Sequence, residues 1–404
     1  MIRHIIKLVW NRKKSVSLLL VEIFLSFIVA FVVGDILITA AINYAGPIGY
    51  DYENLYDVRI GVPGGKPFGK LGAENSAKYL LLLSEMKSFP GVREVSYVSG
   101  NIPYGRMRIS SVFDYNGKAI DGGYNYVDDE FLAAMGMSLI EGRWFGPEDN
   151  AAIDKPIIID EVLRTRIFGE GRAVGESLLD KIEDDQGERT EKYNIIGVVS
   201  TFRPEGELGD TEGEFFLRQL WDDSSYIPLA AMVRVHEGTS VSFELNLQRR
   251  LSALAPGFDF RILPLSEARE AKLQEEGVAI LTPLVIAVFL LFNVALGLFG
   301  IFWQSISRRR GEIGLRRALG ANSRTLPLQI WGETVALGTL AILAGIPVAV
   351  NLAVLGISKP IGTPVFFLSL VCAGGLIYLI LTVCALYPSS LATRIQPAEA
   401  LHDE

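Results

Sequence analysis

The chain has 404 residues, half of them hydrophobic, with a positive mean hydropathy, a composition that already implies membrane segments. Its formal net charge of −8 hides an asymmetry: residues 43–277 hold 39 Asp/Glu against 25 Lys/Arg, while the flanking segments hold 7 against 13. An acidic block between basic flanks does not fit nucleic-acid binding; it implies a soluble domain on one side of a membrane and basic ends on the other.

Residues 1–14 interleave Arg3, Lys7, Arg12, Lys13 and Lys14 with Ile2, Ile5, Ile6, Val9 and Trp10. That mixture predicts a short cytoplasmic interfacial helix lying against membrane lipids. Residues 15–42 follow as a first transmembrane helix, longer than the roughly 20 residues a span needs. A cleaved signal peptide is the competing reading, but the apolar run is too long for one and three more spans follow. Glu22 and Asp35 lie toward the ends of this span, where acidic side chains can pair or reach the interface.

Residues 43–277 are long enough for a domain with its own core. The segments 55–60, 76–88 and 92–99 alternate strand, helix and strand patterns, and 230–235, 240–255 and 258–263 repeat the series. These two βαβ-like units at opposite ends predict one subdomain built from both, holding an inserted, β-rich subdomain at about 115–228. The acidic stretch 183–191 reads as a solvated hairpin tip. A polar, helix-favouring stretch, 265–276, leads into the second transmembrane helix, 278–303, which Pro283 is expected to bend. The third span is 326–355 and carries Glu333 in its first turns. An outer loop, 356–364, precedes the fourth span, 365–386, and the tail is 387–404. The expected fold is thus an α-helical membrane protein with four transmembrane helices and a large α+β extracytoplasmic domain. Five Lys/Arg flank the first span and six lie in 304–325, against Lys359 alone in the short outer loop. This bias predicts a multi-pass membrane protein with both termini and the 304–325 segment cytoplasmic and the large block outside. Cys372 and Cys384, twelve residues apart on one helix, are separated by about 18 Å and cannot form a disulfide.

Between the second and third spans, 304–325, lies a basic, half-apolar segment. Leu315 and Leu319 share a helix face, and Glu312 stands four residues before Arg316, the favourable order for a helical ion pair. Gly320 is a stop, and Asn322 or Ser323 can cap the next helix. Such a helix either marks the cytoplasmic side or docks its apolar face into a groove on a cytosolic partner.

Residues 309–321 (RRGEIGLRRALGA) resemble the signature of MacB/FtsX-type permeases, membrane subunits of ABC transporters, departing from it at Gly311. Residues 126–143 (YVDDEFLAAMGMSLIEGR) are similar to MacB-like periplasmic core domains, as are 156–159, 163–169, 174–176 and 193–199. Residues 329–333, 344–347 and the tail 387–401 resemble the FtsX-like membrane domain, with His402 where arginine is common. The resemblance implies that Glu312, Ile313, Gly314, Leu315, Arg316, Arg317, Ala318, Leu319, Gly320 and Ala321 form the coupling helix that contacts a cytosolic ABC ATPase. It implies a dimer with a second permease copy or paralogue, with a periplasmic adaptor and an outer-membrane channel as optional partners. ATP and magnesium would sit on the partner ATPase, because this sequence has no G-x-x-x-x-G-K-[ST]. Residues 64–70 are glycine-rich but read as a flexible loop. No catalytic residue, cofactor site or metal-ligand spacing stands out: His4, His236 and His402 are the only histidines, and Gly-x-Ser-x-Gly is missing. The resemblance implies export or extrusion of antibiotics, peptides or lipoproteins from a bacterial inner membrane. Mechanotransmission is expected because the spans carry few ionisable residues and two of them join the ends of the outer block. The alternative is a signalling subunit that senses an external ligand or activates cell-wall hydrolases without moving cargo.

Overall fold

A computed structural model describes residues 13–62, 72–184, 187–220, 227–240, 242–308, 325–358 and 363–392. The expected interfacial helix before Lys13, the glycine-rich loop at 64–70, the basic helix at 312–321 and the end of the tail lie outside these residues. The chain divides into an outer unit, 43–276, and a helical unit formed by 1–42 with 277–404.

In the outer unit, β1 (Leu55–Gly61), α2 (Gly72–Ser88) and β2 (Val92–Gly100) come from one end of the block. The other end supplies β10 (Ala230–Val235), α5 (Phe243–Leu254) and β11 (Asp259–Pro264). Their order is β11-β1-β10-β2 with every neighbouring pair antiparallel, so β1 and β2 run parallel with β10 between them. This is the split βαβ arrangement, in which two β-α-β halves interleave their strands. The helices cover one face of the sheet. Phe243, Leu247 and Leu251 recur every four residues on α5 and meet Tyr79, Leu82 and Met86 of α2 over Val58, Val95, Tyr97 and Val233. Burying each such side chain contributes about 2 kcal/mol. The two tyrosines keep their hydroxyls satisfied: Tyr97 Oη donates to Tyr79 O (2.7 Å) and Tyr79 Oη to Ile60 O (3.3 Å).

The chain between β2 and β10 forms β3 (Ser110–Tyr115), β4 (Lys118–Val127), β5 (Leu139–Gly142), β6 (Lys155–Asp160), β7 (Ser177–Asp184), β8 (Gly187–Val199) and β9 (Glu214–Arg218). Two short helices, α3 (Phe131–Met135) and α4 (Glu161–Phe168), lie among these strands. Pairings β4–β3, β3–β7, β7–β8, β8–β6, β6–β9 and β9–β4 close a ring of six strands. Closure leaves no free edge within the ring. Phe113, Ile157, Ile159, Leu178, Ile195 and Phe215 belong to its apolar core. The ring takes in β3, ahead of the boundary at about 115 that the sequence pattern marks. It is also not a detached subdomain, because β4 pairs with β2 through Val98↔Val127 and makes one eleven-stranded sheet with the split core. The acidic stretch lies at the end of the β7–β8 hairpin, which pairs as far as Asp184↔Gly187.

The helical unit contains α1 (Lys13–Ala45), α6 (Leu265–Arg308), α7 (Thr325–Val354) and α8 (Pro364–Ala392), the first and second of which extend into the outer unit. Among the described residues, four stretches are long and apolar enough to cross a membrane. Leu19, Ile23, Phe27 and Phe31 of α1 pack with Ala341 and Ala349 of α7 and with Phe366, Ala373, Ile377 and Leu381 of α8. Small residues set the approach: a Cβ at Gly345 would lie 2.4 Å from the Phe27 ring, and one at Gly338 2.4 Å from Leu381. Hydrogen bonds from Trp331 Nε1 to Thr382 Oγ1 (3.1 Å) and between Thr339 Oγ1 and Tyr378 Oη (2.8 Å) join α7 to α8. Asp35 is buried near Ser369 Oγ (3.5 Å), and the Glu22 carboxylate sits against Gly297 of α6. Cys384 is buried and Cys372 exposed. The polar stretch and the second span form the single helix α6, which starts directly after the last residue of β11 and accommodates Pro283 in its interior.

Candidate functional site at the helix roots

The residues at the two ends of the outer unit come together around one loop, 201–213. α1 ends at Ala45, and the last carbonyls of a helix have no partner within it. Arg203 supplies one: Nη1 donates to Asn43 O (2.7 Å), and Nη2 to the carbonyls of Glu207 and Gly209 (both 2.7 Å). A planar guanidinium suits this task, since its fixed fork of donors reaches three carbonyls without rearranging, and its charge opposes the helix dipole. The side chain is 3% exposed, and burial pushes its pKa down. Asn43 answers from the helix, its Nδ2 donating to Gly209 O (3.0 Å). The chain leaving α1 then passes so close to the loop that a Cβ at Gly49 (φ +87°) would lie 1.5 Å from Thr201 O. Only glycine fits both the space and the left-handed backbone there.

The same loop holds α6. Glu207, 7% exposed, accepts from Arg269 Nε in the second turn of that helix, and the hydrogen bond raises the Arg269 pKa. The Arg269 guanidinium also lies 4.7 Å from the centre of the Tyr52 ring. Tyr104 touches both sides: Oη is 3.5 Å from Glu207 Oε2, and its ring meets Tyr50 edge-on at 5.9 Å. Its backbone is left-handed (φ 56°), a conformation that costs free energy for a side-chain-bearing residue, and its N–H donates to Pro204 O (2.6 Å).

A buried polar cluster fixes the loop that carries Tyr104. Glu214 on β9, 1% exposed, accepts from Asn101 Nδ2 (2.8 Å) and Asn125 Nδ2 (2.9 Å). Asn101 in turn closes the loop, donating to Ile109 O (2.9 Å) and accepting from Ile109 N (2.6 Å). Arg108 lies 3.3 Å from Glu214 and bridges to Glu212 (2.9 Å) and Glu205 (3.8 Å) on the other loop. Burial outweighs these partners and pushes the Glu214 carboxyl up to about 8.

Among the described residues no group of His, Cys, Asp and Glu side chains could hold a metal. One loop grips the end of α1 and the start of α6, and a second loop braces the first. The sequence-predicted site, Glu312 to Ala321, lies outside the described residues, so its geometry adds nothing here. Sequence reasoning missed Arg203, Glu207 and Arg269 because loop contacts have no periodicity. The available signal was a lone arginine beside Pro204 in a glycine-rich acidic loop.

Comparison with known proteins supplies the rest. The sequence matches the MacB-like periplasmic core domain over residues 24–257 and the FtsX-like permease C-terminal domain over residues 284–397. It is 24% identical over 390 residues to a macrolide export ATP-binding/permease protein MacB of Wolinella succinogenes, covering 94% of this chain and 56% of that protein. The MacB protein of Bdellovibrio bacteriovorus is 26% identical over 290 residues, 66% of this chain and 41% of the relative. The chain therefore spans about half the length of these curated relatives. An uncharacterized ABC transporter permease of Bacillus subtilis, YvrN, is 25% identical over 69% of each chain. Among solved structures, the periplasmic region of MacB from Actinobacillus actinomycetemcomitans aligns with 56% of this chain and 96% of its own, at 15% identity and a TM-score of 0.38.

Proposed function

Because the chain belongs to the MacB/FtsX family of ABC-transporter permeases, we propose that it converts ATP hydrolysis on a separate cytosolic ATPase into movement of its outer unit. The observation that carries this reading is the joint at the helix roots. Arg203 and Glu207, four residues apart in one loop, grip the end of α1 and the start of α6, and α6 follows β11 without a linker. A displacement of either helix therefore reaches the sheet through hydrogen bonds and covalent chain rather than through slack.

In this proposal two copies, or a copy and a paralogue, form the permease dimer, and the segment from Glu312 to Ala321 is the coupling helix. Its apolar face, Leu315 and Leu319, enters a groove on the ATPase, and ATP-driven closure of the ATPases moves α6. Cargo of the kind handled by exporters of this family is extruded on the outer side, with or without an adaptor and an outer-membrane channel. The positive charge of the flanks supports a topology with both termini in the cytoplasm of an inner-membrane protein. Reporter fusions at residues 150 and 404 should then lie on opposite sides; a shared side would remove this topology.

Co-purification tests the coupling step. Leu315→Asp puts a charge into an apolar contact and should abolish capture of the ATPase while membrane insertion persists. Unchanged capture and unchanged ATP-dependent activity would reduce the segment to a topology marker.

A further inference from the structure

Beside the joint, the outer unit contains a cleft of about 330 Å³ that the coupling proposal does not use. Its floor is the face of β1 and β11 turned away from the apolar core. Val58, Ile60 and Phe260 point into that core, so the alternating residues Asp57, Arg59 and Arg261 take the opposite face. Arg59 and Arg261 are direct partners in the antiparallel register. Two like charges placed opposite each other destabilise a sheet unless something between them is negative.

The chain supplies only part of that negative charge. Asp57 is 2% exposed, and its Oδ2 takes Arg59 Nε at 2.9 Å. Arg261 has no ion pair within 4 Å among the described residues and is exposed. The walls bring in Arg106, which reaches Glu275 only at 3.5 Å, and Lys272, paired with Glu276 at 3.1 Å. Four cations thus line the cleft with two carboxylates, Asp57 and Glu275, inside a unit that is otherwise strongly acidic. A local excess of guanidinium groups on a concave surface is suited to an anion that accepts from two forks at once, as a phosphate does.

The place of the cleft on the chain identifies the source of that phosphate. Its wall is the first turns of α6, and Lys272 precedes Gly277 by five residues, about 7.5 Å along one helix. The apolar run begins immediately after, with Val278, Ala279, Ile280 and Leu281. A group at the level of Lys272 is therefore at the depth of lipid headgroups, not in bulk solvent. We propose that the cleft between Arg59, Arg261 and the first turns of α6 binds the phosphate of an anionic lipid headgroup.

The test uses the full chain, purified in an uncharged detergent and titrated calorimetrically with dihexanoyl phosphatidylglycerol. Saturable binding is expected, weakened about fivefold by Arg261→Gln through loss of one surface cation, and further by the double substitution of Arg59 and Arg261 to Gln. Arg261→Lys, which keeps the charge, should retain most of the affinity. Dihexanoyl phosphatidylcholine, whose headgroup carries its own cation, should bind more weakly. Inorganic phosphate at equal concentration should not displace phosphatidylglycerol. Equal phosphatidylglycerol affinity in the unsubstituted chain and Arg261→Gln would overturn the site, as would equal binding of the two lipids. Displacement by inorganic phosphate would overturn the lipid as its occupant. Should Arg261→Gln unfold the chain, Arg106→Gln, on the exposed loop, replaces it with the same expected weakening and the same overturning result.

Discussion

Two helices, α1 and α6, carry the chain between the helical and outer units, and they are built on different plans. α1 sits inside its own bundle: 39% of its apolar window is buried, and it stops at a capped end from which the chain must turn. The corresponding window of α6 is only 6% buried, so its apolar surface is left to lipid or to another chain. Its other end is seamless, with Pro264 closing β11 and Leu265 opening the helix. The first helix is held at its end by side chains, and the second both by the Glu207–Arg269 pair and by its own unbroken backbone. Under the proposed coupling, the helix that runs unbroken out of the sheet would be the moving arm and α1 the post.

The largest effect expected from this difference comes from breaking the continuous helix. A Gly/Ser insertion after Glu276 should abolish transport or signalling in a cellular assay while ATPase capture persists, because it introduces slack above an intact dock. Full activity with the insertion would remove the arm from the mechanism. Next in size is the grip on α1. Arg203→Ala removes a donor shared by three carbonyls, of which Asn43 O keeps Gly46 N and Gly209 O keeps Asn43 Nδ2 while Glu207 O is left alone. The substitution should cost about 2 kcal/mol of outer-unit stability, read as a lower thermal midpoint or faster limited proteolysis near Asn43. A change within experimental error would mean that water replaces the guanidinium and that the two helix ends are not held so differently.

The last effect concerns the brace. The Glu214 carboxyl stands near 8 in the folded protein against an ordinary value near 4.5, because it is buried. Asp128, up to about 7, and Asp160, up to about 6, are raised for the same reason. A raised folded pKa means that the folded chain keeps protons which the unfolded chain releases. The resulting stability is complete below the ordinary value and is lost as pH rises through the folded one. Thermal stability of the outer unit should therefore fall between about pH 4.5 and 8. Glu214→Gln should flatten the upper part of that slope and leave the portion due to Asp128 and Asp160. An unchanged slope would show that Glu214 is ionised in the fold.

The sequence made some of these features legible and hid others, for physical reasons. Four runs of apolar residues announce spans because lipid tolerates little else over that length. The strand and helix patterns at both ends of the outer block could be read because α5 spaces Phe243, Leu247 and Leu251 evenly. Ring closure could not be read in the same way. It rests on pairings such as Gly123↔Glu214, ninety-one residues apart, and no local pattern encodes which strands meet. Nor did the pattern reveal that β4 serves the ring and the split core together, so that the expected inserted subdomain shares one sheet with its host. At the helix roots, Arg203 is an unremarkable loop arginine until the fold brings Asn43 to it across 160 positions.

The interleaved order β11-β1-β10-β2 also has a consequence for biogenesis. β1 is among the first strands made, yet both of its neighbours lie beyond residue 229. At roughly 5–20 residues per second, the ribosome needs about 8–34 s to synthesise what separates β1 from β10. During that interval both edges of β1 have no native partner, while β7 and β8 can pair as a hairpin as soon as they emerge. The ring is therefore the part that folds first, and the split core closes around it last. A waiting strand of sequence LYDVRIG is a target for chaperones and for mispairing, and its Asp57 and Arg59 guard against the second.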